Sequence, residues 1–109
     1  RIPVKKRGRV ILVDPAEIFF ARVEGGLVFV HLEEESLLTS YRSLEDLEKD
    51  LPHGEFFRTH RAYLVNLAKM AEILPMIGGN FRIRLKDRHS TEIPLSRAQG
   101  RLFKKRFKF

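Results

Sequence analysis

Two glycine pairs constrain this chain more than any other feature. Gly25–Gly26 follows Glu24 and Gly78–Gly79 precedes Asn80, and each pair stands between runs rich in β-branched and aromatic residues. The first pair separates Ile18–Val23 from Leu27–Leu32; the second separates Met70–Ile77 from Phe81–Lys86. Tight hairpin turns need positive φ, which glycine adopts without steric cost, so both places predict β-hairpins. Ile2–Val4, Arg9–Val13, Ser36–Arg42 and Thr91–Leu95 have the same strand character,. Between these runs, Asp14-Pro15-Ala16-Glu17 is a turn or a single helical turn, and Glu33-Glu34-Glu35 is a solvated hairpin tip,. His31, at the end of an apolar strand, reads as a satisfied structural histidine.

Two segments break the pattern. Ser43–Leu51 is a short helix: Ser43 caps it, Asp46 takes the acid position of a capping box, and Leu44, Leu47 and Leu51 share a face before Pro52 and Gly54 end it,. A second helix starts at Ser96, its tail apolar on one side through Leu102, Phe103, Phe107 and Phe109 and basic elsewhere; packing on the sheet is the expected role. The fold class is mostly β with one short helix mid-chain and a short C-terminal helix. At 109 residues the chain is the size of one domain, so 1–109 is read as a single unit,. It does not begin with Met and shows no signal peptide, which predicts a piece cut from a longer protein with an upstream partner domain,.

The stretch Phe56–Asn66 places strand formers around the polar cluster Arg58, Thr59, His60 and Arg61. An apolar core would not accept such a cluster, so it is expected to face water or a ligand, on a turn held between two strands. Arginine offers a planar fork of donors suited to phosphate or to the guanine edge. On these residues alone a plain solvated turn fits as well as a site.

Charge distribution bears on that choice. Glu33–Glu55 carries −6, whereas the chain as a whole carries +7, so the remainder holds +13. Segregation of this kind is the footprint expected of a polyanion binder. The alternation Phe81-Arg82-Ile83-Arg84-Leu85-Lys86 predicts a strand with a wholly cationic wet face, and Arg101, Lys104 and Lys105 extend the basic surface along the tail. No run is long and uncharged enough to span a membrane. The absence of cysteine removes disulfides and thiolate chemistry and fits a reducing compartment such as the cytoplasm,. Histidines 31, 53, 60 and 89 lie far apart with no metal-ligand spacing, and no Gly-rich phosphate loop is present, so neither an enzyme nor a bound cofactor is expected,.

The motif Phe56-x-Arg58-x-His60-Arg61, with Tyr63-Leu64-Val65-Asn66 after it, resembles the LytTR DNA-binding domain of bacterial response regulators. The Ser43-Leu44-Glu45-Asp46-Leu47 helix, Ile93-Pro94-Leu95-Ser96-Arg97 and the opening Val13-Asp14-Pro15-Ala16-Glu17-Ile18-Phe19-Phe20 extend the resemblance over nearly the whole chain. It implies an elongated fold of about ten short antiparallel strands in small sheets, with loops in successive major grooves. It also implies binding to direct repeats as dimers, and a receiver or sensor domain upstream. Base-reading roles then fall on Arg61, beside His60, and on Arg97, with Arg58 and Asn66 bracing the loop. Where some members present a polar side chain from the first hairpin, this chain has Glu24-Gly25-Gly26-Leu27. Two other classes remain open from the residues: an RNA or single-strand binder, which would expose aromatics for stacking, and a basic protein-interaction module.

Overall fold

The computed structural model describes residues 1–109 as ten strands, two α-helices and two 3₁₀ turns. Strands β1 (Ile2–Lys6) and β2 (Arg9–Val13) are joined by Arg7 and Gly8 alone, both at positive φ, a two-residue primed turn,. A 3₁₀ turn at Pro15–Glu17 carries a complete capping box: Ala16 N–H donates to the Asp14 carboxylate, and Asp14 N–H donates to Glu17. Then come β3 (Phe20–Glu24), β4 (Leu27–His31), β5 (Ser36–Leu38) and α1 (Leu44–Lys49). The second half holds β6 (Phe56–His60), β7 (Tyr63–Asn66), a 3₁₀ turn at Leu67–Lys69, β8 (Met70–Pro75), β9 (Phe81–Leu85), β10 (Glu92–Leu95) and α2 (Arg97–Phe107).

The strands form one seven-stranded antiparallel sheet, in the order β2-β1-β5-β4-β3-β7-β6, and one three-stranded sheet, β10-β9-β8. Inward residues such as Ile2, Val4, Val28, Val30, Leu44, Leu47 and Leu64 make one core between the larger sheet and α1. A second core holds Phe20, Val65, Ile83, Leu85, Ile93, Leu95 and Phe103, joining the small sheet and α2 to the large one. The molecule is elongated, 43 × 27 × 25 Å. No helix is long and apolar enough to cross a membrane.

Several local expectations change. β5 stops at Leu38 instead of running to Arg42, because Thr39 turns inward, is buried, and donates its hydroxyl to Val28 O at 2.9 Å. Ser43 caps α1 through Asp46 N–H at 3.1 Å, but the Asp46 carboxylate faces Lys49 at 3.8 Å, so the capping box is only half made. The acidic tip is tethered as well as solvated: Glu33 accepts from Arg88 N–H at 3.0 Å, Glu34 pairs with Arg88 at 3.2 Å and Glu35 with Lys6 at 2.9 Å. The wet face of β9 is not wholly cationic in effect. Arg84 lies 2.8 Å from Glu72 and 3.6 Å from Glu92, and Arg82 lies 3.3 Å from Glu92, so acids on both flanking strands pair with both arginines of the row and leave Lys86 without an ion pair.

Candidate nucleic-acid interface

The polar cluster of Phe56–Asn66 divides into inward and outward halves. Arg58 and His60 belong to β6 itself and only Arg61 and Ala62 turn the chain; His60 pairs with Tyr63 after a bulge between Arg58 and His60. A bulge shifts the side-chain alternation by one residue. Thr59, expected to face water, is therefore fully buried, and its hydroxyl has no hydrogen-bond partner.

Three side chains fix the turn. Arg58 donates from Nη2 to Arg61 O at 2.7 Å and from Nε to His60 O at 3.4 Å. His60 Nδ1 accepts from Ala62 N–H at 3.1 Å, which puts the proton of the neutral ring on Nε2,. Asn66, almost fully buried, donates to Ile18 O at 2.9 Å and accepts from Ala68 N–H at 3.0 Å. Both of its amide functions are thus spent on backbone, so it acts as a brace. Arg61 is exposed and its side chain makes no bond within the molecule.

Arg97 opens α2, and Ser96 caps the helix through Gln99 N–H at 3.2 Å. Its Nη2 donates to Gly78 O in the β8–β9 turn, and the guanidinium lies where a Cβ at Gly79 would meet Nε at 3.5 Å. A contact at that distance is ordinary packing, so Gly79 is required by its φ of +82° and not by the space Arg97 takes,. His60, Asn80, Phe81, Arg82, Ser96 and Arg97 line one open cleft of about 440 Å³. His60 and Arg97, 37 positions apart in the chain, thus share a surface; Arg61 follows His60 in sequence but does not line the cleft. On α2, Arg101 and Lys105 are exposed and Lys104 stands 5.4 Å over the Phe81 ring, while Phe103 is fully buried, so the helix packs on the sheet as expected.

Sequence reading overlooked Gln99. Ser96-x-x-Gln99 has the form of a capping box, in which the glutamine would reach back to Ser96 N–H. Instead Ser96 N–H donates to Thr59 O at 2.8 Å, and the Gln99 amide donates to Arg58 O. The start of α2 thereby closes the outer edge of β6 and ties the element carrying Arg97 to the one carrying Arg61. The Ser-x-x-Gln spacing was the available signal; its partner was not.

Away from the cleft, His31 is the satisfied histidine its strand position suggested. Its ring stacks on Phe20 at 4.1 Å and accepts from Arg22 Nε at 3.0 Å. Burial first and the Arg22 charge second lower its pKa to about 4, so it is neutral near pH 7,.

Comparison with known proteins bears on the family and the fold of the chain. A family model for the LytTr DNA-binding domain matches residues 8–108. The sensory transduction protein LytT of Oceanobacillus iheyensis is 33% identical over 85% of this chain and 38% of its own. The transcriptional regulatory protein YpdB of Escherichia coli K12 is 34% identical over 94% and 41%. The chain therefore spans about two-fifths of the length of these relatives. Among solved structures, the LytTr DNA-binding domain of a putative methyl-accepting/DNA response regulator from Bacillus cereus superposes with a TM-score of 0.87 over 99% of this chain and 96% of that one. At 24% identity that likeness concerns the fold, and it reproduces the mostly β architecture. With the match running over nearly every residue described, this chain belongs to the LytTr DNA-binding domain family.

Proposed function

We propose that this domain binds double-stranded DNA sequence-specifically, placing the His60–Arg61 turn and Arg97 in the major groove as the output domain of a bacterial transcriptional regulator. The observation that carries the reading is the cleft shared by His60 and Arg97, with Arg61 next in the chain: two guanidinium groups stand on braced backbone, one of them with no partner inside the protein. Arg97 commits one Nη2 proton to Gly78, which leaves a fork on Nη1 and Nη2 for the O6 and N7 acceptors of guanine,. Arg101, Lys104 and Lys105 supply phosphate contacts along α2, and His60 adds a donor at the groove edge. Arg58 and Asn66 hold the turn in place. In the longer protein the partners are direct-repeat promoter sites, a second copy of the domain on DNA, and a receiver or sensor domain upstream, in the cytoplasm.

Paired gel-shift titrations on a duplex selected from a random pool and on its scrambled counterpart test this. Arg61→Lys and Arg97→Lys keep the charge and lose the fork, so each should weaken binding to the selected duplex about ten-fold or more and leave the scrambled duplex unchanged. Equal losses on both would make the two residues phosphate contacts and end the direct-readout assignment. With about six phosphates neutralised, log affinity should fall with log salt at a slope near −5. A slope near zero would remove duplex DNA as the ligand.

A further inference from the structure

The two edges of the seven-stranded sheet are treated differently. At β6 the main chain is met by Ser96 N–H and covered by α2. At β2 nothing covers it, yet its middle is Val10-Ile11-Leu12, respectively 68%, 38% and 55% exposed. Proteins usually blunt such an edge with lysine, proline or a bulge inside the strand; β2 has none of these between Arg9 and Val13. We propose that β2 is a pairing edge for a second copy of this chain, the two β2 strands running antiparallel about a two-fold axis at Ile11.

Backbone parity selects that axis. The two-residue turn makes Lys6–Arg9 the hydrogen-bonded pair that closes the β1–β2 hairpin, and Val4–Ile11 and Ile2–Val13 follow at alternate positions,. Val10 and Leu12 therefore turn their N–H and C=O groups away from β1. Pairing about Ile11 sets Val10 opposite Leu12 of the second copy, twice, so all four outward groups on each strand are satisfied. The side chains agree: apolar Val10 and Leu12 meet across both pairs, and Ile11 meets Ile11.

Charge decides the direction. β2 is entered through Lys5, Lys6, Arg7 and Arg9 and left through Asp14 and Glu17. Antiparallel pairing lays the basic entrance of one copy beside the acidic exit of the other, whereas parallel pairing would stack Arg9 on Arg9. One strand edge is a small contact, below the roughly 1,200 Å² of a stable interface, so the dimer is weak and reversible. It leaves the cleft at the opposite edge open. It is also distinct from any tandem arrangement on a direct repeat, which needs both copies in one orientation.

The test uses the chain without DNA, at about 0.3 M salt to screen the repulsion between two copies of net charge +7,. Sedimentation from about 10 µM to 1 mM should show reversible dimerisation. Amide exchange at Val10 and Leu12 should slow as concentration rises. Val10→Lys and Leu12→Glu should each weaken association about ten-fold or more, with unchanged melting because both positions are more than half exposed,. The double variant sets a lysine against a glutamate across the axis twice and should recover wild-type association to within about three-fold. A chain monomeric to about 1 mM, exchange at Val10 and Leu12 independent of concentration, or a double variant as weak as the single ones would each overturn the proposal.

Discussion

β9 and the β6–β7 turn carry the same sequence signature, arginines set among strand formers, and the fold treats them oppositely. Arg82 and Arg84 meet Glu72 and Glu92 on the strands at either side, so their charge is answered within the small sheet. Arg58 and Arg61 have no acid within ion-pair distance: one guanidinium is spent on backbone carbonyls and the other is free. A count of positive charges treats the two regions alike. What separates them is whether the neighbouring strand offers a carboxylate, and only an unanswered cation keeps its full attraction for a phosphate or a base edge. Arg22 is a third case, held by neutral His31 on one side and Glu24 on the other.

The largest effect should come from breaking the support of the turn. Phe103 is fully buried against Phe57, 4.7 Å between ring centroids, and holds α2 on the β6 edge. Phe103→Ala should cost about 3–5 kcal/mol of stability, read by chemical denaturation, and should reduce specific DNA binding even where the variant remains folded. Full selectivity in that variant would show that the turn presents Arg61 without help from α2. For the same reason, deleting Arg101–Phe109 would test the fold before it tested any DNA contact.

Next in size is the Arg22 arrangement. An unfolded histidine takes up a proton near its ordinary pKa of 6.5, whereas folded His31 resists until about pH 4. Between those values the unfolded state binds more protons, so this contribution is complete above about pH 6.5 and lost as pH falls toward 4,. The loss is on the order of 1–3 kcal/mol. Melting curves of the wild type and His31→Gln should converge as pH falls through that window; parallel curves would mean that His31 titrates as it does unfolded.

A smaller effect tests the comparison directly. Glu72→Gln together with Glu92→Gln frees Arg82 and Arg84 and makes β9 resemble the turn. Binding to the scrambled duplex should then strengthen about two- to five-fold, with a salt slope steeper by about one. An unchanged slope would place the β9 row away from the DNA. The smallest change concerns Thr59, whose buried hydroxyl has no partner. Thr59→Val removes it at nearly constant shape and should raise stability by up to about 1 kcal/mol in thermal unfolding. A loss would reveal a partner for that hydroxyl.

The sequence by itself determined the elements whose causes are local. Glycine at positive φ marked both hairpins, Ser43 and Ser96 marked the starts of both helices, and the aliphatic spacing marked Leu44 and Leu47 as the buried face of α1, with Leu51 joining the same core just beyond the helix end at Lys49. The motif at Phe56–Arg61, with the segments around it, pointed to the family that the comparison shows. Tertiary structure alone decided that Arg82 and Arg84, the two cations of β9, are ion-paired, since their partners Glu72 and Glu92 lie on other strands. It likewise decided that Thr59 turns inward at a bulge, and that Gln99 serves a carbonyl 41 residues away instead of its own helix end. The physical reason is range: φ preferences and caps act over a few residues, whereas the partner of an arginine or an amide is whatever the fold sets within about 3 Å of it.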